Sequence, residues 1–204
     1  MNKIFLDCGT HLFQGFTQFI DMYNIDENWD CYAFESNPIT YNMSKNRYKE
    51  LTKQGFNINH LNLGVSNCNT SIKVNCAMSP ENDSFTNQGS NILKNPPSRD
   101  KVYGGVFNYD DNNESIVNTI NFSEFLKSVV KSDEENFILI KMDIEGSEFD
   151  VLDSLIESGY FKLINEIYVE FHERFFDDTN FYVNKKNMYK RIFEENNIIF
   201  KEWI

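Results

Sequence analysis

The sequence has no run near the roughly 20 consecutive apolar residues of a membrane-spanning helix, and its start, MNKIFLDCGT, lacks the charged-then-apolar pattern of a secretory leader. The expectation is a soluble protein of the cytoplasm. The four cysteines (Cys8, Cys31, Cys68, Cys76) contain no C-x-x-C pair, which argues against a disulfide framework and for buried or half-buried thiols. Zinc is disfavoured too, for want of clustered Cys and His. Basic residues are in deficit: 19 Lys and Arg against 31 Asp and Glu leave a formal net charge of -12. Such a chain repels phosphate backbones, so nucleic acid is not an expected partner and a small molecule or glycan fits better. Alanine and proline are scarce beside Asn, Lys, Ile and Phe, a bias ascribed to an AT-rich genome rather than to function. No internal repeat or inter-domain linker is visible.

What is present describes a folded domain. Hydrophobic residues make up 41% and aromatic residues 15% of 204 residues, enough for one core and too short a chain for two ordinary ones. Apolar runs alternate with helically spaced apolar residues. Lys3–Leu6 is a strand closed by Asp7-Cys-Gly-Thr, followed by a helix carrying Phe16, Phe19, Ile20 and Tyr23. Asp30–Phe34 is a second strand, after which Ser36 or Asn37 can cap a helix beginning at Pro38. The spacing predicts a third strand over His60–Val65 and a hairpin partner, Ser71–Cys76, turning around Asn67–Asn69. Residues 79–118, rich in Asn, Ser, Asp, Gly and Pro, read as a substrate-covering insertion. A helix through Phe122, Phe125, Leu126 and Val129 then leads to a strand at Phe137–Ile140. The next helix is capped by Ser147 and stopped by Gly159. Glu166–Glu170 is a fifth strand, Met188, Ile192 and Phe193 mark a last helix, and Ile198–Phe200 a final strand. This alternation means a mostly parallel sheet with helices on both faces.

Ligands of open α/β sheets bind outside the carboxyl ends of the strands. Here those ends carry Asp7 and Gly9, Glu35, Asp143 and Glu145, and Glu170 and His172. Gly9 allows close backbone approach, with amides able to hold a carboxylate or phosphate, and an acid closing the second strand is placed to accept bonds from ribose hydroxyls. A dinucleotide site would need G-x-G-x-x-G, which DCGTHLFQG does not supply; an acid before the glycine repels pyrophosphate and suits an amino-acid ammonium. S-adenosylmethionine has that ammonium and no phosphate. Glu145 and Glu148 also suit the positive end of a helix, and Glu170 can alternatively pair with Lys141.

FLDCGT, FESNP, HLNLGVSN, QGSNIL, VNTINFSEFL, IKMDIEGSEFDVL and EIYVEFHE, in that order, resemble the FkbM family of S-adenosylmethionine-dependent methyltransferases. The K-x-D-x-E-G-x-E block is the most specific of them. The resemblance implies a single domain with a Rossmann-like class I methyltransferase fold, and O-methylation of a sugar or glycan-like hydroxyl. It places Asp7, Gly9, Thr10 and His11 around the methionine part of the cofactor, Glu35 at the ribose and Ser66 or Asn67 near the adenine, with Asp143 facing the reaction centre and Ser36 also among the cofactor-binding residues. Asp143, Glu170 and His172 are the candidate catalytic groups. Two acids and a histidine from adjacent strand ends can also hold Mg2+, although no metal ligand set is assigned. The chain departs from the family pattern at His11 and Phe13, where Asn and Gly are usual, with a glycine delayed to Gly15; Phe13 either narrows the cofactor cleft or turns into the core. The alternative function is a non-catalytic cofactor- or glycan-binding remnant.

Overall fold

A central strand with two apolar faces organises the protein. In the computed structural model, which describes residues 1–75, 114–131 and 133–203, β1 (Asn2–Cys8) is buried almost throughout. Side chains alternate across a strand. Phe5 therefore points one way, into a cluster with Phe16 and Phe19 of α1 (Gln14–Tyr23) and Leu51 of α2 (Pro38–Lys53). Ile4, Leu6 and Cys8 point the other way, toward Leu126 of α3 (Phe122–Val129), Phe149 and Leu152 of α4 (Glu148–Ser158) and Phe193 of α5 (Thr179–Glu195).

The main sheet contains β1, β2 (Trp29–Phe34), β3 (Ile58–Leu61), β7 (Asn136–Met142), β8 (Glu166–Val169) and β9 (Ile199–Glu202) in the order β3-β2-β1-β7-β8-β9, every neighbouring pair parallel. Chain order runs outward from β1 in one direction and from β7 in the other. The reversal falls between β1 and β7, where a doubly wound sheet opens its ligand crevice. The expected α/β fold is the one observed.

A second sheet holds β4 (Gly64–Ser66), β5 (Thr70–Asn75) and β6 (Glu114–Asn121) in the order β4-β6-β5. It corrects two expectations. The strand expected over His60–Val65 is broken, Leu61 ending in the main sheet and Gly64 beginning in the other. The turn at Asn67–Asn69 does not close a hairpin, because β6 lies between its arms: parallel to β4 and antiparallel to β5. Thr119, buried on β6, donates to Cys68 O at 2.8 Å and accepts from Thr70 N at 3.2 Å, and Asn69 accepts from Asn121 N at 2.8 Å. Residues 114–118 thus belong to a strand rather than to an insertion; 79–113 lie outside the described residues.

Local signals worked where they were short-range. Asn37 accepts from Ile39 N at 2.9 Å and Pro38 opens α2, while Gly159 ends α4 at φ 75°. Ser147 makes no capping bond; Glu148 bends back over the turn instead. Cys8 and Cys31 are buried free thiols, and Cys68 is exposed.

Candidate functional site

The carboxyl ends of β1 and β7 nearly touch. Asp143 N donates to Cys8 O at 2.9 Å, and a Cβ on Gly9, whose φ is +83°, would lie 1.8 Å from Asp143 O. Only glycine fits, because both the positive φ and the carbonyl exclude a side chain. The amides that follow are already occupied. Those of Gly9 and Thr10 donate to Phe34 O, that of His11 to Glu35 Oε2 at 3.0 Å, that of Leu12 to Gln14 and that of Phe13 to Thr10 O. The first loop therefore offers no free cradle of N–H groups for a carboxylate or phosphate, contrary to the general expectation for such a loop.

His11 and Phe13 both take left-handed backbone, at φ 49° and 68°. Phe13 turns into the core, fully buried, with its ring centroid 5.5 Å from that of Phe16 and 5.1 Å from that of His60. This decides between the two alternatives for Phe13. The displaced Gly15 has its own use: a Cβ there would lie 3.2 Å from Lys141 Cε, so α1 rests against the stem of a buried lysine.

Lys141, on β7, ties the crevice together. Its Nζ donates to Gly9 O at 2.7 Å and to Asp143 Oδ2 at 3.4 Å and lies 3.4 Å from Asp7 Oδ1. Burial pulls its pKa down, but Asp143 and Asp7 more than offset this and hold the ammonium charged. Asp7 is itself fully buried; burial raises its pKa and Lys141 opposes the rise. In this structure the ammonium that Asp7 meets is that of Lys141, and Lys141 does not pair with Glu170. Glu35, at the end of β2, is also buried, with one oxygen accepting from His11 N and the other from Asn37 N at 2.8 Å. Burial pushes its pKa up to about 7 against those two bonds. Burial also lowers that of His11.

The ends of β7 and β8 bring together the second cluster. His172 is 1% exposed, and its Nδ1 lies 2.9 Å from Glu148 Oε1. Nε2 faces Glu145 Oε2 at 3.3 Å, Glu170 Oε1 at 3.6 Å and Asp143 Oδ1 at 3.9 Å. Burial works against its charge, yet the Glu148 carboxylate, with Glu145 and Asp143 behind it, lifts its pKa to about 9. Glu145, at a left-handed φ of 54°, is pushed up to about 7 by burial despite His172, and Glu170 is raised by burial and by Asp143. Asp143 belongs to both clusters and joins them. Ser36 lies beside Glu35, its carbonyl accepting from Asn62. Ser66 closes β4 opposite Asn121 of β6, and Asn67 follows it in an exposed bend. Lys141 and Glu148 were not singled out as site residues by the sequence; a lysine inside the apolar run FILIKM was the available signal for the first.

The family model for the methyltransferase FkbM domain matches residues 7–195, which spans every residue of both clusters. The chain belongs to this FkbM family. Among solved structures, methyltransferase FkbM from Methylobacillus flagellatus KT is similar in fold, with a TM-score of 0.54 at 13% identity. The match covers 94% of this FkbM chain and 37% of that one, so the present chain spans little more than a third of its neighbour. No curated protein matches. Among the described residues no helix is long and apolar enough to cross a membrane.

Proposed function

We propose that this protein is an S-adenosylmethionine-dependent O-methyltransferase whose acceptor is a hydroxyl of a sugar or glycan-like small molecule. One observation carries the choice of cofactor: at the ends of β1, β2 and β7 the acids Asp7, Glu35 and Asp143 outnumber the Lys141 ammonium that pairs with two of them, while the amides of the first loop are committed elsewhere. An acidic crevice without free amides disfavours a pyrophosphate and suits a ligand with a sulfonium and an ammonium. Glu35, fixed through both oxygens, keeps lone pairs for two ribose hydroxyls. Phe13, packed in the core, does not close the site, which removes that ground for a non-catalytic remnant.

When bound, S-adenosylmethionine would supply a methyl carbon on a positively charged sulfur, for transfer to the acceptor oxygen with the carbon–sulfur electron pair staying on sulfur. The acceptor proton must then leave. Asp143 and Glu170, with side chains 27% and 32% exposed, are within reach of an entering hydroxyl and can take it. His172 is too buried to meet the acceptor directly and acts by holding the two carboxylates in place. Alignment supplies most of the remaining acceleration, since the donor is already reactive.

Isothermal titration of the purified protein with S-adenosylhomocysteine, with NADH as control, tests the cofactor. Saturable binding that weakens strongly in Glu35→Ala is the expected result, and screening of sugar acceptors follows from it. Binding of NADH instead, or of neither ligand by a folded sample, overturns the proposal.

A further inference from the structure

Asp143 follows β7 and Glu170 follows β8, two parallel neighbours paired at Met142 and Val169, so the two carboxylates leave the sheet side by side. Glu170 N donating to Met142 O at 2.8 Å holds that register to the last residue. His172 returns two positions later. One ligand atom from each of the three lies within 4.8 Å of the others. Ligands about 2.1 Å from a common ion sit roughly 3 Å apart when adjacent and roughly 4 Å apart when opposite. The Nε2 distances of 3.6 and 3.9 Å to Glu170 and Asp143 fall inside that span.

The orientation of His172 is an independent observation. Glu148, fully buried, accepts from Ile144 N at 3.0 Å and from Gly146 N at 3.2 and 3.0 Å, and a carboxylate so placed can only accept from the imidazole. Nδ1 therefore carries the hydrogen. Nε2 is left aimed among three carboxylate oxygens, with Glu145 Oε2 nearest at 3.3 Å. A metal-binding imidazole commonly donates its other ring N–H to a carboxylate, which fixes its orientation, and His172 is held in that way by Glu148.

We infer that Asp143, Glu170 and His172 form a site for one divalent metal ion, held by two carboxylate oxygens and His172 Nε2, with Glu148 orienting the histidine. Mixed oxygen and imidazole donors suit a first-row ion such as Mn2+ better than one restricted to oxygen ligands. The use of the site rests on the methyl-transfer proposal: a cation beside Asp143 would set a positive charge next to the acceptor hydroxyl and ease loss of its proton.

The test uses Mn2+ alone, added to the metal-free protein, read by electron paramagnetic resonance for stoichiometry and by spin-echo modulation for a directly bound nitrogen. One Mn2+ per chain with nitrogen modulation is expected. His172→Gln should abolish the modulation, and Glu170→Gln, a change at a half-buried position, should weaken binding at least tenfold. Mn2+ that binds without nitrogen modulation, or without sensitivity to Glu170→Gln, is merely condensed on an acidic surface and overturns the inference; so does the lack of saturable binding. Titration of the same sample with S-adenosylhomocysteine separates the two proposals. Product binding without Mn2+ binding refutes the metal site alone, whereas Mn2+ binding with nitrogen modulation and no product binding supports the site and refutes the cofactor.

Discussion

Replacing Glu35 by glutamine isolates the free energy of ionising one buried carboxylate at the end of β2. Burial raises its pKa from an ordinary 4.5 to about 7, even though His11 N and Asn37 N both donate to it. At about 1.4 kcal/mol per pH unit, that gap amounts to roughly 3 kcal/mol. The native carboxyl holds its proton more tightly than the unfolded one. Its stabilising contribution is therefore fully present below about pH 4.5 and is lost as pH rises through about 7. Glutamine has no proton to lose, but it presents an NH2 to one of two N–H donors, a penalty of about 1–3 kcal/mol at every pH. Urea unfolding of both proteins from about pH 4.5 to about pH 8 should show the wild-type advantage shrinking by roughly 3 kcal/mol across the window. Ligand binding gives a second readout with the opposite pH trend. If ribose hydroxyls donate to the ionised carboxylate, as proposed, affinity for S-adenosylhomocysteine should fall about tenfold per unit as pH drops below 7. Stability curves that run parallel would refute the reasoning, because Glu35 would then titrate normally in the native protein.

Other expectations follow from single contacts. Gly9→Ala sets a methyl group 1.8 Å from Asp143 O at a positive φ, and should cost about 2–5 kcal/mol in thermal or urea unfolding while parting the ends of β1 and β7. Lys141→Met leaves Asp7 buried without its ammonium, a loss of about 3–5 kcal/mol, and adding Asp7→Asn should recover part of it; a double mutant no better than the single would dissolve the pair. Phe13→Ala should cost about 3–5 kcal/mol as a core truncation yet change product affinity less than about threefold, whereas a large gain in affinity would show the ring obstructing the cleft. His11→Gly relieves a left-handed residue and should stabilise by up to about 1 kcal/mol, provided loss of the His11 Nδ1 contact to Gln14 is small.

The acids at the strand ends have one physical explanation. Parallel strands place their carboxyl ends on one edge, and at the chain reversal that edge is left open, so polar residues there meet a ligand or one another instead of the core. Here they meet one another first: Lys141 neutralises Asp7 and Asp143, and His172 gathers Asp143, Glu145 and Glu170.

The sequence by itself determined most of what neighbours along the chain govern, the Ser147 cap and the unbroken strand over His60–Val65 excepted. Continuous apolar runs such as that of β1, helical spacing at Phe16 and Phe19, the Asn37-Pro38 start and the Gly159 stop are local preferences, and each appears where it was read. The alternation of strand and helix then left few topologies open, which is why the parallel sheet and the edge carrying Gly9, Glu35, Asp143, Glu170 and His172 were legible. Tertiary structure alone decided what depends on a partner far along the chain. Val65 and Ile72 share a sheet only because Val117 and Ile120, about fifty residues later, lie between their strands, and no local rule announces that pairing. Phe13 enters the core because His60 and Phe16 leave it a place. Lys141 becomes the tie between β1 and β7 because register sets it level with Asp7, and Glu148 becomes the anchor of His172 because its carboxylate turns back over Gly146. Buried charges choose partners by distance in space, and that distance exists only once the chain has folded.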